Sequence, residues 1–216
     1  NIYKTFNPGT INEKRALNGL NLKLNEGDFV TVIGGNGAGK STMLNAVAGT
    51  WPVDEGQILI DNIDVTKLSE HKRATYLGRV FQDPMTGTAA TMGIEENLAL
   101  AKRRGKSRLL RSGITKAERE EYKELLKILG LGLEDRLTSK VGLLSGGQRQ
   151  ALTLLMATLQ KPKLLLLDEH TAALDPKTAA KVLEITDMIV NRDHLTTLMI
   201  THNMKDAIAH GNRLIM

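Results

Sequence analysis

Three short stretches of this sequence carry residue types that could do chemistry. The first is Gly34-Gly35-Asn36-Gly37-Ala38-Gly39-Lys40-Ser41: glycine, four residues, a second glycine, lysine and serine. Glycines let backbone N–H groups turn inward around an anion at a helix N-terminus, where the lysine can reach terminal phosphates as a point charge and the serine hydroxyl can bind Mg²⁺. The second is Leu144-Ser145-Gly146-Gly147-Gln148, where a serine and two glycines open a helix-like stretch. That makes another N-terminal anion site without a lysine, or, taken alone, an ordinary helix cap. The third is Asp168-Glu169, two adjacent carboxylates at the end of the apolar run 164–167. Such a pair is costly without a cation, and the residue types suit it to phosphoryl transfer: Asp168 is placed to hold Mg²⁺, directly or through water, and Glu169 to polarise an attacking water as a general base.

The elements that must position these groups follow from periodicity. The run 29–33 reads as a buried strand leading into the glycine-rich loop, and the helical pattern 41–48 leaves it and stops at Gly49. Leu20, Leu22 and Leu24 alternate with polar residues before Glu26-Gly27, which predicts a half-buried strand ending in a turn. Short apolar runs at 58–60, 164–167, 198–200 and 214–216 read as interior strands of a layered sheet. The segment from about 94 to 137 is rich in Lys, Arg, Glu and Leu at helical spacing, and the pattern after Ser145 stays helical through Leu159. The expectation is one domain over 1–216, with an α/β core at 1–93 and 160–216 and a helical subdomain inserted at about 94–159.

Composition narrows the function classes. A chain of 216 residues, 41% of them hydrophobic, can bury the core of one sizeable domain, and no run approaches the ~18 apolar residues of a membrane-spanning helix. The absence of cysteine excludes a disulfide framework and thiolate metal sites and fits a reducing interior. Much of the net charge of +5 sits at Lys102, Arg103, Arg104, Lys106, Arg108 and Arg111, a run that reads as a solvated surface segment. Only 3% of residues are aromatic, which argues against binding nucleic acid by stacking on its bases, and nucleic acid is not an expected partner. The chain starts at Asn1 without methionine and stops at Met216 inside an apolar run, so both ends read as trimmed and no targeting signal can be read.

A phosphate-binding loop alone leaves kinases, GTPases, recombinases and transporter ATPases open. The stretch Leu144 to Gln148, extended by Arg149-Gln150, resembles the signature sequence of ABC ATPases, and six motifs stand in that family's order along nearly the whole chain. The resemblance implies a P-loop NTPase core with a mixed sheet, an N-terminal antiparallel β subdomain and an inserted α-helical subdomain carrying the signature. It implies ATP and Mg²⁺, with nucleotide held by Gly35, Asn36, Gly37, Ala38, Gly39, Lys40, Ser41 and Thr42. The signature residues Ser145, Gly146, Gly147 and Gln148 of one subunit would close over the γ-phosphate held by a second copy, head to tail. Asp168 matches the Walker B aspartate and Glu169 the catalytic glutamate. Gln82, in Val80-Phe81-Gln82-Asp83-Pro84, matches the Q-loop glutamine that senses Mg²⁺ and the γ-phosphate beside the surface facing a membrane partner. Asp175, in Ala173-Leu174-Asp175-Pro176, matches the D-loop linking the two sites. His202 matches the switch histidine at the γ-phosphate, and Phe6 stands where an aromatic stacks on adenine, with Tyr3 as the neighbouring alternative. The catalytic set so implied is Glu169, His202, Lys40 and Gln82, and the metal set Ser41, Gln82 and Asp168. One departure is His170, where most relatives have proline; it should alter the local turn, and no catalytic role is expected of it.

The implied cycle is ATP-driven closure of two subunits, in-line attack of water on the γ-phosphate, and reopening on phosphate release. A separate subunit of this kind resembles bacterial importer ATPases that work with transmembrane permease subunits and a solute-binding protein, on the cytoplasmic face of the cell membrane. The stretch Asp168 to Pro176 points further, to uptake of amino acids such as tryptophan or tyrosine. A chromosome or DNA-repair ATPase would carry a long coiled coil between loop and signature, which the segment 42–144 does not. A soluble assembly or translation factor using the same dimer as a clamp is the alternative.

Overall fold

The computed structural model describes residues 1–106 and 113–216. In chain order its elements are β1 (Ile2–Phe6), β2 (Lys14–Leu20), β3 (Phe29–Val32), α1 (Lys40–Ala48), β4 (Glu55–Gly56), β5 (Leu59–Ile60), β6 (Ile63–Asp64), α2 (Glu70–Arg73) and β7 (Leu77–Val80). They continue with α3 (Ile94–Lys102), α4 (Lys116–Lys127), a 3₁₀ turn at Val141–Leu143, α5 (Gly146–Thr158), β8 (Leu164–Asp168), α6 (Pro176–Asp193), β9 (Thr197–Ile200), α7 (Met204–His210) and β10 (Arg213–Ile215). Parallel and antiparallel strands fall into separate sheets. One is five-stranded and parallel in the order β10-β3-β9-β8-β7; the other is antiparallel in the order β2-β1-β4.

Both faces of the parallel sheet are covered, which is why its strands read as unbroken apolar runs rather than alternating ones. Successive side chains point to opposite faces, so the runs divide cleanly. Leu165, Leu167 and Met199 join a core with α3, α4, α5 and α6, whereas Leu166, Leu198, Ile200, Val30 and Val32 join a second core with α1 and the antiparallel sheet.

Three expected elements come out differently. The strand predicted through Leu24 ends at Leu20, which pairs with Ile2 at the start of β1; Leu22 and Leu24 still pack on the second core. The run 58–60 forms no interior strand. Asp61 and Asn62 both adopt positive φ (52° and 62°), the signature of a two-residue primed turn, and fold it into the small hairpin β5-β6. The run 214–216 yields β10, half exposed at the sheet edge beside β3.

The basic run is not simply solvated. Lys102 pairs with Glu121, Arg103 with Glu118 at 3.1 Å, and Arg104 donates to the Ala157 carbonyl at 3.4 Å, so α3 is tied to the acidic face of α4 and to α5. Lys106 is exposed, and Arg108 and Arg111 lie outside the described residues.

One buried charge has a structural task. Arg73 is 1% exposed and donates to the carbonyls of Ala46 at 2.6 Å, Val47 at 2.9 Å, Leu68 at 2.9 Å and Thr66 at 2.8 Å. Two of these close the last turn of α1, so a cation sits at the negative end of that helix while its positive end faces the glycine-rich loop. Burial lowers the Arg73 pKa without removing the charge. Replacing Arg73 with methionine would take the guanidinium donors from four carbonyls, of which Ala46 O keeps the Gly49 N–H at 3.3 Å, and the expected loss is about 3 kcal/mol or more in urea unfolding. Arg73→Lys should recover only part of it, since an ammonium lacks the fork.

Candidate functional site

Because β3, β9, β8 and β7 run parallel and adjacent, the segments leaving their C-terminal ends emerge along one side of the sheet. β3 leads into the glycine-rich loop, β9 into Thr201-His202, β8 ends in Asp168 and passes to Glu169, and β7 leads to Phe81-Gln82. Backbone bonds fix these exits to one another: Ile33 N–H donates to Ile215 O at 2.9 Å, Glu169 N–H to Ile200 O at 3.0 Å and Thr201 N–H to Val32 O at 3.2 Å.

A cleft between them is lined by Phe6, Lys14, Ala16, residues 36–42, Glu169 and His202. The loop is shaped by Gly39, whose φ of 90° is left-handed and whose missing Cβ would stand 2.7 Å from the Ala16 carbonyl. Lys40 is buried, and its Nζ donates to the carbonyls of Gly34 (2.7 Å) and Gly35 (3.1 Å), which holds the ammonium across the mouth of the loop. Ser41 and Thr42 lie in the first turn of α1, which has no side-chain cap, so its first N–H groups are free for an anion.

Glu169 sits at φ 48°, an uncommon conformation for a non-glycine residue, pinned through its own N–H and by Ala172 N–H donating to its carbonyl at 2.9 Å. Its Oε1 lies 2.6 Å from His202 Nε2. Carboxylate and imidazole thus meet at the cleft wall.

Asp168 and Gln82 line a neighbouring recess with Phe81, Asp83, Thr86 and Ala173 rather than the loop's cleft. Asp168 Oδ2 accepts from Arg79 Nη2 at 3.3 Å. The signature residues lie elsewhere, lining neither cavity. Ser145 caps α5 by accepting from Gln148 N–H at 3.3 Å, and Gln148 Oε1 accepts from Ser145 N–H at 3.2 Å, a capping box that leaves the Ser145 hydroxyl hydrogen free to donate. Ser145 and Gly146 are exposed. A Cβ on Gly147 would lie 2.1 Å from Thr178 Cγ2, so the glycine allows α5 to approach the start of α6. Asp175 caps α6 by accepting from Thr178 N–H at 3.1 Å, ahead of Pro176.

Four residues at the site carried no sequence signal. Lys14 and Ala16 reach the cleft from β2, a strand without a motif. Trp51 meets Phe6 edge to face at 5.0 Å and 81°, and so steadies the ring that lines the cleft. Arg79 looks like an ordinary strand residue until β7 and β8 are paired.

His170 is buried beneath this site. Its Nε2 lies 3.1 Å from Thr186 Oγ1, whose own hydrogen goes to Val182 O at 2.8 Å, so Nε2 carries the proton and donates. The side chain ties the turn after Glu169 to α6. Burial first, and the nearby His210 second, push its pKa down from 6.5 to about 4. A histidine kept neutral in the fold but protonated more readily when unfolded contributes stability above pH 6.5, which is lost as pH falls towards 4, about 3 kcal/mol across that window. In urea unfolding, His170→Gln, which keeps a donor for Thr186 but cannot titrate, should show a flatter stability profile over this range. An unchanged slope would mean that another group carries the acid sensitivity.

A family profile described as ABC transporter matches residues 17–172. A tyrosine transport ATP-binding protein of Clostridioides difficile is 46% identical over 217 residues, covering 100% of this chain and 86% of that protein. A methionine import ATP-binding protein of Rhizobium etli is 38% identical over 194 residues, covering 88% of this chain, and a spermidine/putrescine import ATP-binding protein of Haemophilus influenzae is 33% identical over 217 residues, covering 100%. The chain spans only about half the length of these last two, 51% and 53%. Among solved structures, a dimeric ATP-binding cassette in a post-hydrolysis state with ADP and Pi superposes with a TM-score of 0.82 at 32% identity, covering 99% of this chain and 90% of that one.

Proposed function

The chain belongs to the ABC transporter family, as an importer-like ATP-binding and ATP-hydrolysing subunit, and from that premise we propose how its residues divide the work and what the work serves. The observation that carries the reading is Glu169 Oε1 at 2.6 Å from His202 Nε2, on the wall of the cleft that the glycine-rich loop lines.

ATP lies with its base against Phe6, braced by Trp51, and its phosphates in the loop, where the backbone donors of residues 35–39, Thr42 and the N-terminus of α1 replace lost hydration. Lys14, whose Nζ lies near Gly37, adds a second cation beside Lys40. Glu169 orients the attacking water and takes its proton, and His202 holds the Glu169 carboxylate and faces the γ-phosphate.

Ser41, Asp168 and Gln82 would hold Mg²⁺, which supplies charge neutralisation at the β- and γ-phosphates. The donor set fits: a hydroxyl, a carboxylate and an amide carbonyl are the hard oxygen ligands this ion takes. Among the described residues no cluster of three His, Cys, Asp or Glu forms a protein-only cage, so phosphate oxygens and water would complete the coordination.

Ser145, Gly146, Gly147 and Gln148 share no cavity with the loop, and Ser145 keeps a free donor hydrogen. They serve the loop of a second copy, and Asp175 lies where the two sites communicate. ATP contacts made only in the closed dimer make nucleotide a differential ligand for closure. The dimer works with transmembrane permease subunits and a solute-binding protein on the cytoplasmic face of the membrane; among the described residues no helix is long and apolar enough to cross it. The solute is tyrosine or a chemically similar amino acid, the reading favoured by the name of the 46% identical relative and the stretch Asp168 to Pro176.

Glu169→Gln should bind Mg-ATP, form a dimer seen by size-exclusion chromatography with light scattering, and lose hydrolysis by about 10²-fold or more. Ordinary turnover by this variant would remove Glu169 from the mechanism. Lys40→Ala should bind nucleotide poorly, read by the fluorescence of Trp51, the chain's single tryptophan, which lies against Phe6.

A further inference from the structure

Asp168 stands at the end of a strand whose preceding three residues are buried, next to a second carboxylate, and the cation it meets belongs to the protein itself. Pairing of β7 with β8 sets Arg79 opposite Leu166, so Arg79 and Asp168, two residues further on, share one face as diagonal neighbours, within reach of a long side chain. That face also meets α1. The Arg79 guanidinium donates from Nη2 to Asp168 Oδ2 at 3.3 Å and to Asn45 Oδ1 at 2.9 Å, and from Nη1 to Thr50 Oγ1 at 3.4 Å. Its central carbon lies 4.6 Å from the centroid of the Phe81 ring, and its Nε is buried without a partner. Side-chain exposure is 14% for Arg79 and 17% for Asp168, so water screens the pair weakly.

We infer that Arg79 is the resident counter-ion of Asp168: it neutralises this carboxylate when no divalent ion is present, yields it when Mg-nucleotide binds, and so sets the Mg²⁺ concentration that binding requires. This rests on the reading of Asp168 as a Mg²⁺-holding residue. The pair is built to exchange. At 3.3 Å the contact is longer than the ~2.7–2.9 Å of a strong charge-assisted bond, and a divalent ion offers the carboxylate twice the charge. The released guanidinium is not stranded, because Asn45, Thr50 and the Phe81 face remain as partners. Arg79 is a positioning residue, acting through Asp168 on ion binding.

The test is a Mg²⁺ titration of mant-ADP binding at fixed nucleotide, with thermal unfolding in EDTA alongside. Removing a competing charge a few ångströms from the ion should lower the Mg²⁺ midpoint of Arg79→Met about five-fold or more, with Arg79→Lys, which keeps the charge, between that variant and wild type. In EDTA, Asp168→Asn should unfold at a lower temperature than wild type, because it takes the carboxylate from a largely buried arginine; were Asp168 unpaired, the same change would relieve repulsion from Glu169 and raise the unfolding temperature. A midpoint in Arg79→Met equal to or above wild type, or an unfolding temperature of Asp168→Asn at or above wild type, overturns the inference. Should Arg79→Met fail to fold, the Asp168→Asn comparison decides alone. If wild-type binding is Mg²⁺-dependent and the Arg79→Met midpoint is unmoved, only Arg79's role falls; if wild-type binding ignores Mg²⁺, the metal assignment of Asp168 falls with it.

Discussion

Two carboxylates in sequence at the end of a buried strand need compensation, and the arrangement around Asp168 and Glu169 supplies it. A charge that is partly out of water must find a partner or lose its ionised form, and here each carboxylate finds a different one: Arg79 from the neighbouring strand for Asp168, His202 from the segment after β9 for Glu169. Both partners come from strands that flank β8, so the compensation depends on strand order. Moving β7 away from β8 would leave Asp168 without Arg79, and moving β9 away would leave Glu169 without His202.

The same parallel sheet explains why residues far apart in sequence converge. Each strand of the set β3, β9, β8 and β7 must leave the core on the same side, and whatever follows it lies within one or two strand spacings of the rest. The helix that follows β3 adds the positive counterpart. Its N-terminus opens towards the loop while Arg73 holds the carbonyls at its other end, so the dipole is matched at one end by a buried cation and left open at the other for an anion. Glycines keep the backbone donors reachable: at Gly39 the Ala16 carbonyl leaves no room for a side chain.

The legible part of this site was the part written in local pattern. A glycine-rich loop between strand and helix, a serine with two glycines before a helix, and two carboxylates after four leucines each announce themselves within ten residues, and the structure sets them on the expected elements. What escaped depends on register or partner. Leu22 and Leu24 alternate as a strand would, yet the pairing with β1 ends at Leu20 and they are held by packing on the second core instead. Ile58 to Ile60 look like core strand, but the positive φ of Asp61 and Asn62 decides for a hairpin. Arg79 is invisible as a counter-ion until Leu166 is known to lie opposite it, and Trp51 finds Phe6 only through the fold. The basic run read as solvent-facing because the acidic residues that neutralise Lys102 and Arg103 lie on the next helix.

The two counter-ions differ in a way that suits the two carboxylates. The Arg79 guanidinium is a planar fork that holds Asp168, Asn45 and Thr50 from one side chain. The His202 imidazole brings a single ring nitrogen, Nε2, to 2.6 Å from Glu169 on the wall of the cleft. His170 completes the division. It is adjacent in sequence to Glu169 yet faces the other way, buried and neutral against Thr186, so it fixes the turn without adding a third charge to the cleft. Two partners of the same kind would give both carboxylates the same surroundings; an arginine anchored to α1 beside one and an imidazole on the cleft wall beside the other set them apart.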